Sequence, residues 1–166
     1  MDVHTGQILF AKEGMKQMYP ASTTKILTAY VTLKHCALDD VVTVSDKAVM
    51  PGGSAVGLQA GEKLTVEDIL YALLLSSAND GAEALAYHMA GSIEEFAKWM
   101  NEEAQNLGAK NSHFVNPHGL PDPNHYVTAE DLAIIARAAM EDPEFRKIVS
   151  TYRDVYKRQG FTNCFR

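Results

Sequence analysis

Apolar residues recur at intervals of three and four in five stretches of this chain, and this helical periodicity is the strongest constraint on its fold. The stretches begin near positions 22, 65, 82, 92 and 128. Thr65, Ser92 and Thr128 each precede a stretch and are suited to cap a helix, and Gly91 ends the third stretch. We therefore predict five helices.

Two short runs have the composition of strands. Thr5 to Phe10, with the polar stretch up to Gln17, predicts a hairpin, and Val41 to Val44 predicts a strand. The glycines between 51 and 61 predict a loop, as do the prolines between 116 and 123. A chain of 166 residues that is 46% hydrophobic can bury one core.

Charge and cysteine usage exclude several classes of protein. The net charge is −6 and no Lys/Arg cluster occurs, so we expect neither nucleic acid nor an anionic membrane surface as a partner. Cys36 and Cys164 are too few and too far apart to indicate a disulfide framework or a zinc site. No apolar run approaches about 18 residues, and Met1 is followed by polar residues rather than by a signal peptide. Any export signal or membrane contact is expected to lie in segments missing from this chain.

Ser22 and Lys25 form the first candidate site. Residues three apart share one face of a helix, so the Lys25 ammonium can reach the Ser22 hydroxyl. A serine becomes a good nucleophile only when a base takes its proton, and lysine can act as that base if burial favours its neutral form. The alternative is a helix cap followed by a surface lysine.

Ser77-Ala78-Asn79 is the second candidate element, because it lies where an apolar helix ends and the chain can turn two polar side chains back into a cleft. Alternatively, Ser77 and Asn79 are ordinary helix-ending residues. His118 and His125 could be proposed as a metal pair, but no third ligand is evident, and hydrogen bonding within their loop is the favoured role. Asp80 and Glu83 are interpreted as charges that suit the start of a helix.

These elements occur in surroundings that resemble the D-alanyl-D-alanine carboxypeptidases, which belong to the low-molecular-mass penicillin-binding proteins. The resemblance extends from residue 1 to about residue 150. It implies an α/β (α+β) architecture, the serine β-lactamase/transpeptidase-like fold, in which a helical cluster packs with an antiparallel sheet. Five stretches carry it, in the family's order: Met1 to Leu9, Pro20 to Lys25, Leu73 to Ala82, Phe114 to Leu120 and Thr128 to Leu132.

By that resemblance, Ser22 attacks the carbonyl between two D-alanines, Lys25 accepts its proton, Ser77 relays a proton to the leaving amine, and Asn79 holds the substrate backbone. The implied substrate is a peptidoglycan stem peptide ending in D-Ala-D-Ala, and β-lactam antibiotics would acylate the same serine. No metal or cofactor is implied. The implied location is extracytoplasmic, in the periplasm or at the outer face of the membrane.

The family's third motif, Lys-Thr-Gly or Lys-Ser-Gly, does not occur in the sequence. The resemblance therefore implies that residues 1–153 are a truncated transpeptidase-like domain that lacks its C-terminal strands and is inactive by itself. We expect the hairpin and the strand at 41–44 to be left with exposed edges and unburied faces.

The hexapeptide from Asp154 to Gln159 matches the in-frame translation of a transposon-end sequencing adapter. We interpret residues 154–166 as a non-native tail, and the alternative is an ordinary basic helix end.

Three other functions stay open. A class A β-lactamase shares Ser-x-x-Lys but is expected to have Ser-Asp-Asn, and Ala78 argues against it. An endopeptidase that cuts peptidoglycan cross-links would use the same groups. A non-catalytic peptidoglycan-binding relative would keep the fold without turnover.

Overall fold

The computed structural model describes residues 1–49 and 51–151, together with the backbone of residues 157–158 and 161–162. In these residues six α-helices occur: α1 (Thr24–His35), α2 (Val66–Leu75), α3 (Asn79–Ala90), α4 (Ile93–Leu107), α5 (Ala129–Ala139) and α6 (Pro143–Val149). The strands are β1 (Val41–Thr43), β2 (Lys63–Thr65), β3 (Lys157–Arg158) and β4 (Phe161–Thr162). Ala21–Thr23 and Asp46–Ala48 are 3₁₀ turns.

The predicted caps set where the helices begin. Thr65 forms a reciprocal capping box with Asp68 at the start of α2. The hydroxyls of Ser92 and Thr128 accept backbone N–H groups at the starts of α4 and α5. All five predicted helices are confirmed, although the third begins at Asn79 rather than near position 82. We did not predict α6.

Helix α1 lies between two hydrophobic clusters. Ala29 belongs to the cluster formed with α2, β1, β2 and α6, whereas Leu27 and Val31 belong to the cluster formed with α4 and α5. Ile26 and Tyr30 pack against both clusters. Because both sides of α1 are covered, its position relative to the other helices is firmly determined.

Strand β1 confirms the strand predicted at 41–44 and pairs antiparallel with β2, with Val42 opposite Leu64. The expectation that its faces stay unburied is wrong for the face that carries Val42 and Val44, which are 0% and 2% exposed, whereas Val41 on the other face is 57% exposed. The side chains of Val42 and Val44 pack into the hydrophobic cluster that α1 forms with α2, β1, β2 and α6. We missed β2, because a three-residue strand that contains a lysine has too short a pattern to recognise.

The predicted N-terminal hairpin is wrong. Residues 1–17 form turns instead, one closed by Gly6 N–H donating to the Asp2 carbonyl and another by Lys16 N–H donating to the Glu13 carbonyl. Directly after this segment, Met18 makes an isolated bridge to Val127. Leu9 and Phe10 are 69% and 82% exposed. Two strands without a buried apolar face are marginally stable in water, so this composition by itself does not produce a hairpin.

The fold class is confirmed as a helical cluster with a small antiparallel sheet. In the part of the chain that is described, no helix combines the length and apolar character needed to cross a membrane.

The proposed non-native tail, residues 154–166, lies largely outside the described residues and stays a prediction. Sequencing the source DNA across codons 150–166 tests it, because a reading frame that differs from Asp154 onward is the expected result.

Candidate active site

Ser22 lies in the 3₁₀ turn that leads into α1. Ala21 before it has a φ of 49°, a conformation that non-glycine residues rarely adopt. The Thr23 hydroxyl closes the turn by donating to the Pro20 carbonyl at 2.6 Å. The turn leaves Ser22 exposed at the N-terminal end of α1, where the helix dipole favours negative charge.

Lys25 lies in the first turn of α1 and is only 2% exposed. Its Nζ donates to the Ser22 Oγ at 3.3 Å and to the His118 carbonyl oxygen at 3.0 Å. Burial lowers the pKa of Lys25 from 10.5 to about 8. The charged form loses hydration when it is buried, and none of the ion pairs among the described residues offsets that loss.

Ser77 lies between α2 and α3 with a left-handed φ of 56°. Its hydroxyl donates to the Ser22 Oγ at 2.8 Å. Three predicted site residues, Ser22, Lys25 and Ser77, are therefore joined by hydrogen bonds centred on one oxygen atom.

Asn79 is the first residue of α3 and is 4% exposed. Its Nδ2 donates to the Gly52 carbonyl at 2.7 Å, and its backbone N–H donates to the Ser54 carbonyl at 2.8 Å. In the described part of the chain no hydrogen bond joins Asn79 to Ser22, Lys25 or Ser77. The side chain and the backbone N–H of Asn79 thus both bind the neighbouring loop that contains Gly52 and Ser54.

Residues 116–125, here called the histidine loop, are attached to α1 by side chains. Thr28 Oγ1 donates to the Pro117 carbonyl at 2.6 Å. His125 Nδ1 accepts the Val115 N–H at 3.2 Å, so its Nε2 carries the hydrogen and donates to Thr24 Oγ1 at 3.0 Å. Burial is the main cause that lowers the pKa of His125 to about 4, which keeps the ring neutral.

Gly119 brings the histidine loop against the turn that carries Ser22. Its φ is 88°, and a Cβ at this position would overlap the carbonyl oxygen of Ala21 and lie 2.7 Å from Thr24 Oγ1. Only glycine combines this backbone conformation with so close an approach.

His118 and His125 take part in hydrogen bonds, as predicted. His118 Nε2 lies 3.2 Å from Glu83 Oε1, and its Nδ1 accepts the Leu120 N–H at 3.1 Å. No group of three potential metal ligands occurs among the residues that the structure describes.

Asp80 makes specific hydrogen bonds to a neighbouring loop, in addition to its predicted role as a charge at the start of a helix. It is 0% exposed, and its carboxylate accepts the N–H groups of Val56, Gly57 and Leu58 at 3.2, 2.8 and 2.9 Å. It thereby attaches residues 51–61, here called the glycine loop, to the start of α3.

Sequence reasoning missed the contacts of four groups that hold the loops around the site: Thr24, Thr28, the His118 carbonyl and the Asp80 carboxylate. Each contacts a residue more than 20 positions away in the chain. The Asn116-Pro117-His118-Gly119 motif indicated a rigid loop, but nothing in its pattern indicates that it contacts α1.

Comparison with known proteins gives consistent results. The D-alanyl-D-alanine carboxypeptidase family model matches residues 1–163. D-alanyl-D-alanine carboxypeptidase DacF of Bacillus subtilis is 39% identical over 97% of this chain, and DacD of Escherichia coli is 38% identical over 90%. The chain spans 42% of the length of each of these relatives.

Solved structures agree. The crystal structure of penicillin binding protein 6B from Escherichia coli superimposes with a TM-score of 0.89 at 36% identity, over 98% of this chain and 55% of that one. The carboxypeptidase DacD from Francisella tularensis gives a TM-score of 0.85 at 35% identity, over 90% of this chain and 38% of that one. The chain belongs to the D-alanyl-D-alanine carboxypeptidase family, peptidase family S11.

Proposed function

We propose that the protein containing this chain is a serine-type D-Ala-D-Ala carboxypeptidase that removes the terminal D-alanine from peptidoglycan stem peptides through an acyl-enzyme on Ser22. The observation that carries the proposal is the contact of one exposed hydroxyl, Ser22 Oγ, with both a buried lysine at 3.3 Å and a second hydroxyl at 2.8 Å.

The pKa of Lys25 suits it to act as a general base. With a pKa of about 8 rather than 10.5, the neutral fraction at pH 7 is roughly 300-fold larger. A general base functions best when its pKa lies near the working pH. Lys25 can therefore accept the Ser22 proton without a metal or a cofactor.

In the acylation step, neutral Lys25 takes the Ser22 hydroxyl proton as Oγ forms a bond to the carbonyl carbon of the penultimate D-alanine. The C–N bond then breaks, and the leaving amine takes the Ser77 hydroxyl proton. Lys25 then approaches Ser77 directly and returns its extra proton to the Ser77 oxygen, which restores the Ser77 hydroxyl and neutral Lys25. The start of α1 stabilises the negative charge that develops near Ser22.

In the deacylation step, a water molecule attacks the ester carbonyl while neutral Lys25 takes its proton. The C–O bond to Ser22 breaks and Lys25 gives the proton to Oγ, so that a trimmed stem peptide, free Ser22 and neutral Lys25 result. Lys25 thus serves in both halves of the reaction, as is common for covalent catalysis.

β-Lactams are proposed to acylate Ser22, because a strained lactam amide presents the same carbonyl to the same oxygen. Asn79 is proposed to hold the substrate backbone, with rotation of its amide away from Gly52 as the required movement. We also propose an extracytoplasmic location, since the peptidoglycan substrate lies there.

Covalent labelling of the full-length protein with a fluorescent penicillin tests the proposal. The expected result is one penicilloyl group on the peptide that contains Ser22, and its absence in Ser22→Ala. Ser54→Ala, in the glycine loop, is the matched control and should label normally. A protein that folds but is not labelled contradicts the proposal. Release of free D-alanine from a pentapeptide, compared with cleavage of a cross-linked dimer, separates carboxypeptidase from endopeptidase activity.

A further inference from the structure

The second hydrogen-bond partner of Lys25 is a main-chain carbonyl, that of His118, in a loop about 90 residues away in sequence. A loop carbonyl is a reliable partner only if other contacts fix its orientation. Thr28 fixes the preceding carbonyl, of Pro117, directly from α1. Among the described hydrogen bonds, the Lys25 amine is the one donor from α1 to the His118 carbonyl.

The ring of His118 supplies the missing constraint. The residue is only 6% exposed, and both of its ring nitrogens are engaged. Because Nδ1 accepts the Leu120 N–H, Nε2 is the nitrogen that carries the hydrogen, and it donates to Glu83 Oε1 at 3.2 Å. The Glu83 side chain is 13% exposed, so water competes little for this bond.

Glu83 lies one turn into α3, the helix that begins two residues after Ser77. Helix α3 packs against α1, α2 and α4 and is a rigid element of the core. The contact from Glu83 through the His118 ring to the His118 carbonyl therefore links the lysine to the helix that follows Ser77.

We propose that Glu83 and His118 are positioning residues for Lys25. The Glu83 carboxylate fixes the orientation of the His118 ring, and the ring fixes the His118 carbonyl, which accepts a hydrogen bond from the Lys25 amine. The inference rests on the proposed function of Ser22 and Lys25. It assigns to Glu83 a role in acylation at a distance, without contact to substrate.

The test measures acylation of the full-length protein by a chromogenic cephalosporin, separating the dissociation constant from the acylation rate constant. Glu83→Ala is expected to lower the acylation rate constant roughly 10- to 100-fold, since small misplacement of a catalytic group has effects of this size. The dissociation constant should change less than about 3-fold, because the proposal gives neither Glu83 nor His118 a contact with the ligand.

Glu83→Gln is the conservative rescue. Its amide oxygen can still accept the Nε2 hydrogen, so acylation should stay within about 3-fold of the unmodified protein. A loss as large as that of Glu83→Ala would overturn the proposal. If Glu83→Ala fails to fold, Glu83→Leu, which keeps volume without an acceptor, replaces it in the comparison.

Glu103→Ala is the matched control, because Glu103 is also buried and also accepts a side-chain hydrogen bond, from Lys34 near the other end of α1. It should change thermal stability without changing the acylation rate constant.

A double-mutant cycle completes the test. Two residues that act as one unit are non-additive, so Glu83→Ala combined with His118→Ala should acylate no more slowly than the slower single variant. Additive losses would overturn the inference. Failure of the unmodified protein to become acylated at Ser22 would overturn the proposed function and this inference together, whereas normal acylation of Glu83→Ala would overturn the inference alone.

Discussion

The histidine loop and the glycine loop both lie beside the candidate site, but the chain attaches them differently. Side chains from α1 and α3 bind the histidine loop at Pro117, His118 and His125, and both histidines are buried. The glycine loop is held by Asp80 and Asn79, by the buried side chain of Leu58 and by the Gly61 N–H, which donates to the Val44 carbonyl, and its four glycines all have positive φ. We infer that the histidine loop moves only if Lys25 moves with it, whereas the glycine loop can adjust to a ligand.

Gly119→Ala should have the largest effect, because its Cβ would overlap the Ala21 carbonyl at a φ of 88°. We expect a loss of about 4 kcal/mol or more in the free energy of unfolding, in the range that marks severe backbone conflict. Urea denaturation of the full-length protein measures it, and penicillin labelling should be lost in parallel. A loss below about 1 kcal/mol would show that the histidine loop is not held as tightly as described.

Acid should weaken the histidine loop through His125. The unfolded chain binds a proton at a pKa near 6.5, whereas the pKa of the buried ring is about 4. As the pH falls from 6.5 to 4 the unfolded state takes up the proton first, so stability is lost across this window, by up to about 3 kcal/mol. Denaturant midpoints at pH 7.5 and 4.5 measure the loss.

His125→Gln should reduce that pH dependence, and the exposed His88→Gln is the control that should leave it unchanged. An identical pH dependence in all three proteins would contradict the role of His125.

Asp80→Asn tests the glycine loop and should have an intermediate effect. The amide retains one acceptor oxygen where the carboxylate binds three loop N–H groups, so we expect a loss of about 2 kcal/mol. Hydrogen exchange of residues 56–58 should accelerate, and Asp39→Asn, on the exposed surface, should change neither property. Unchanged exchange would indicate that other contacts hold the loop.

Gly57→Ala should have the smallest effect. Its φ of 73° opposes a side chain, but no atom lies within 4 Å of the new Cβ. We expect a loss of about 1 kcal/mol, the usual effect of a left-handed conformation without a clash, and normal penicillin labelling. Paired with Gly119→Ala in the same denaturation experiment, it separates backbone strain from steric overlap. Equal losses would remove the distinction between the two loops.

Much of the site was accessible from local sequence. Ser22 lies in the 3₁₀ turn and Lys25 three residues later in the first turn of α1, so their contact follows from local helical spacing. The caps Thr65, Ser92 and Thr128 likewise act within four residues. The prediction of an N-terminal hairpin was wrong for the opposite reason, because strands need partners and a covered face that lie outside the local pattern.

Sequence by itself determined five of the six helices in the described residues, three of their N-terminal caps and the candidate nucleophile with its base, because these depend on contacts within one or two helical turns. Only the tertiary structure decided how Ser77 reaches Ser22 across 55 residues, and which groups surround Lys25. The pKa of that lysine is a property of burial between packed elements, and hydrophobic periodicity does not specify it. The physical reason is that desolvation depends on every element that covers a group, whereas a helix depends mainly on its own residues.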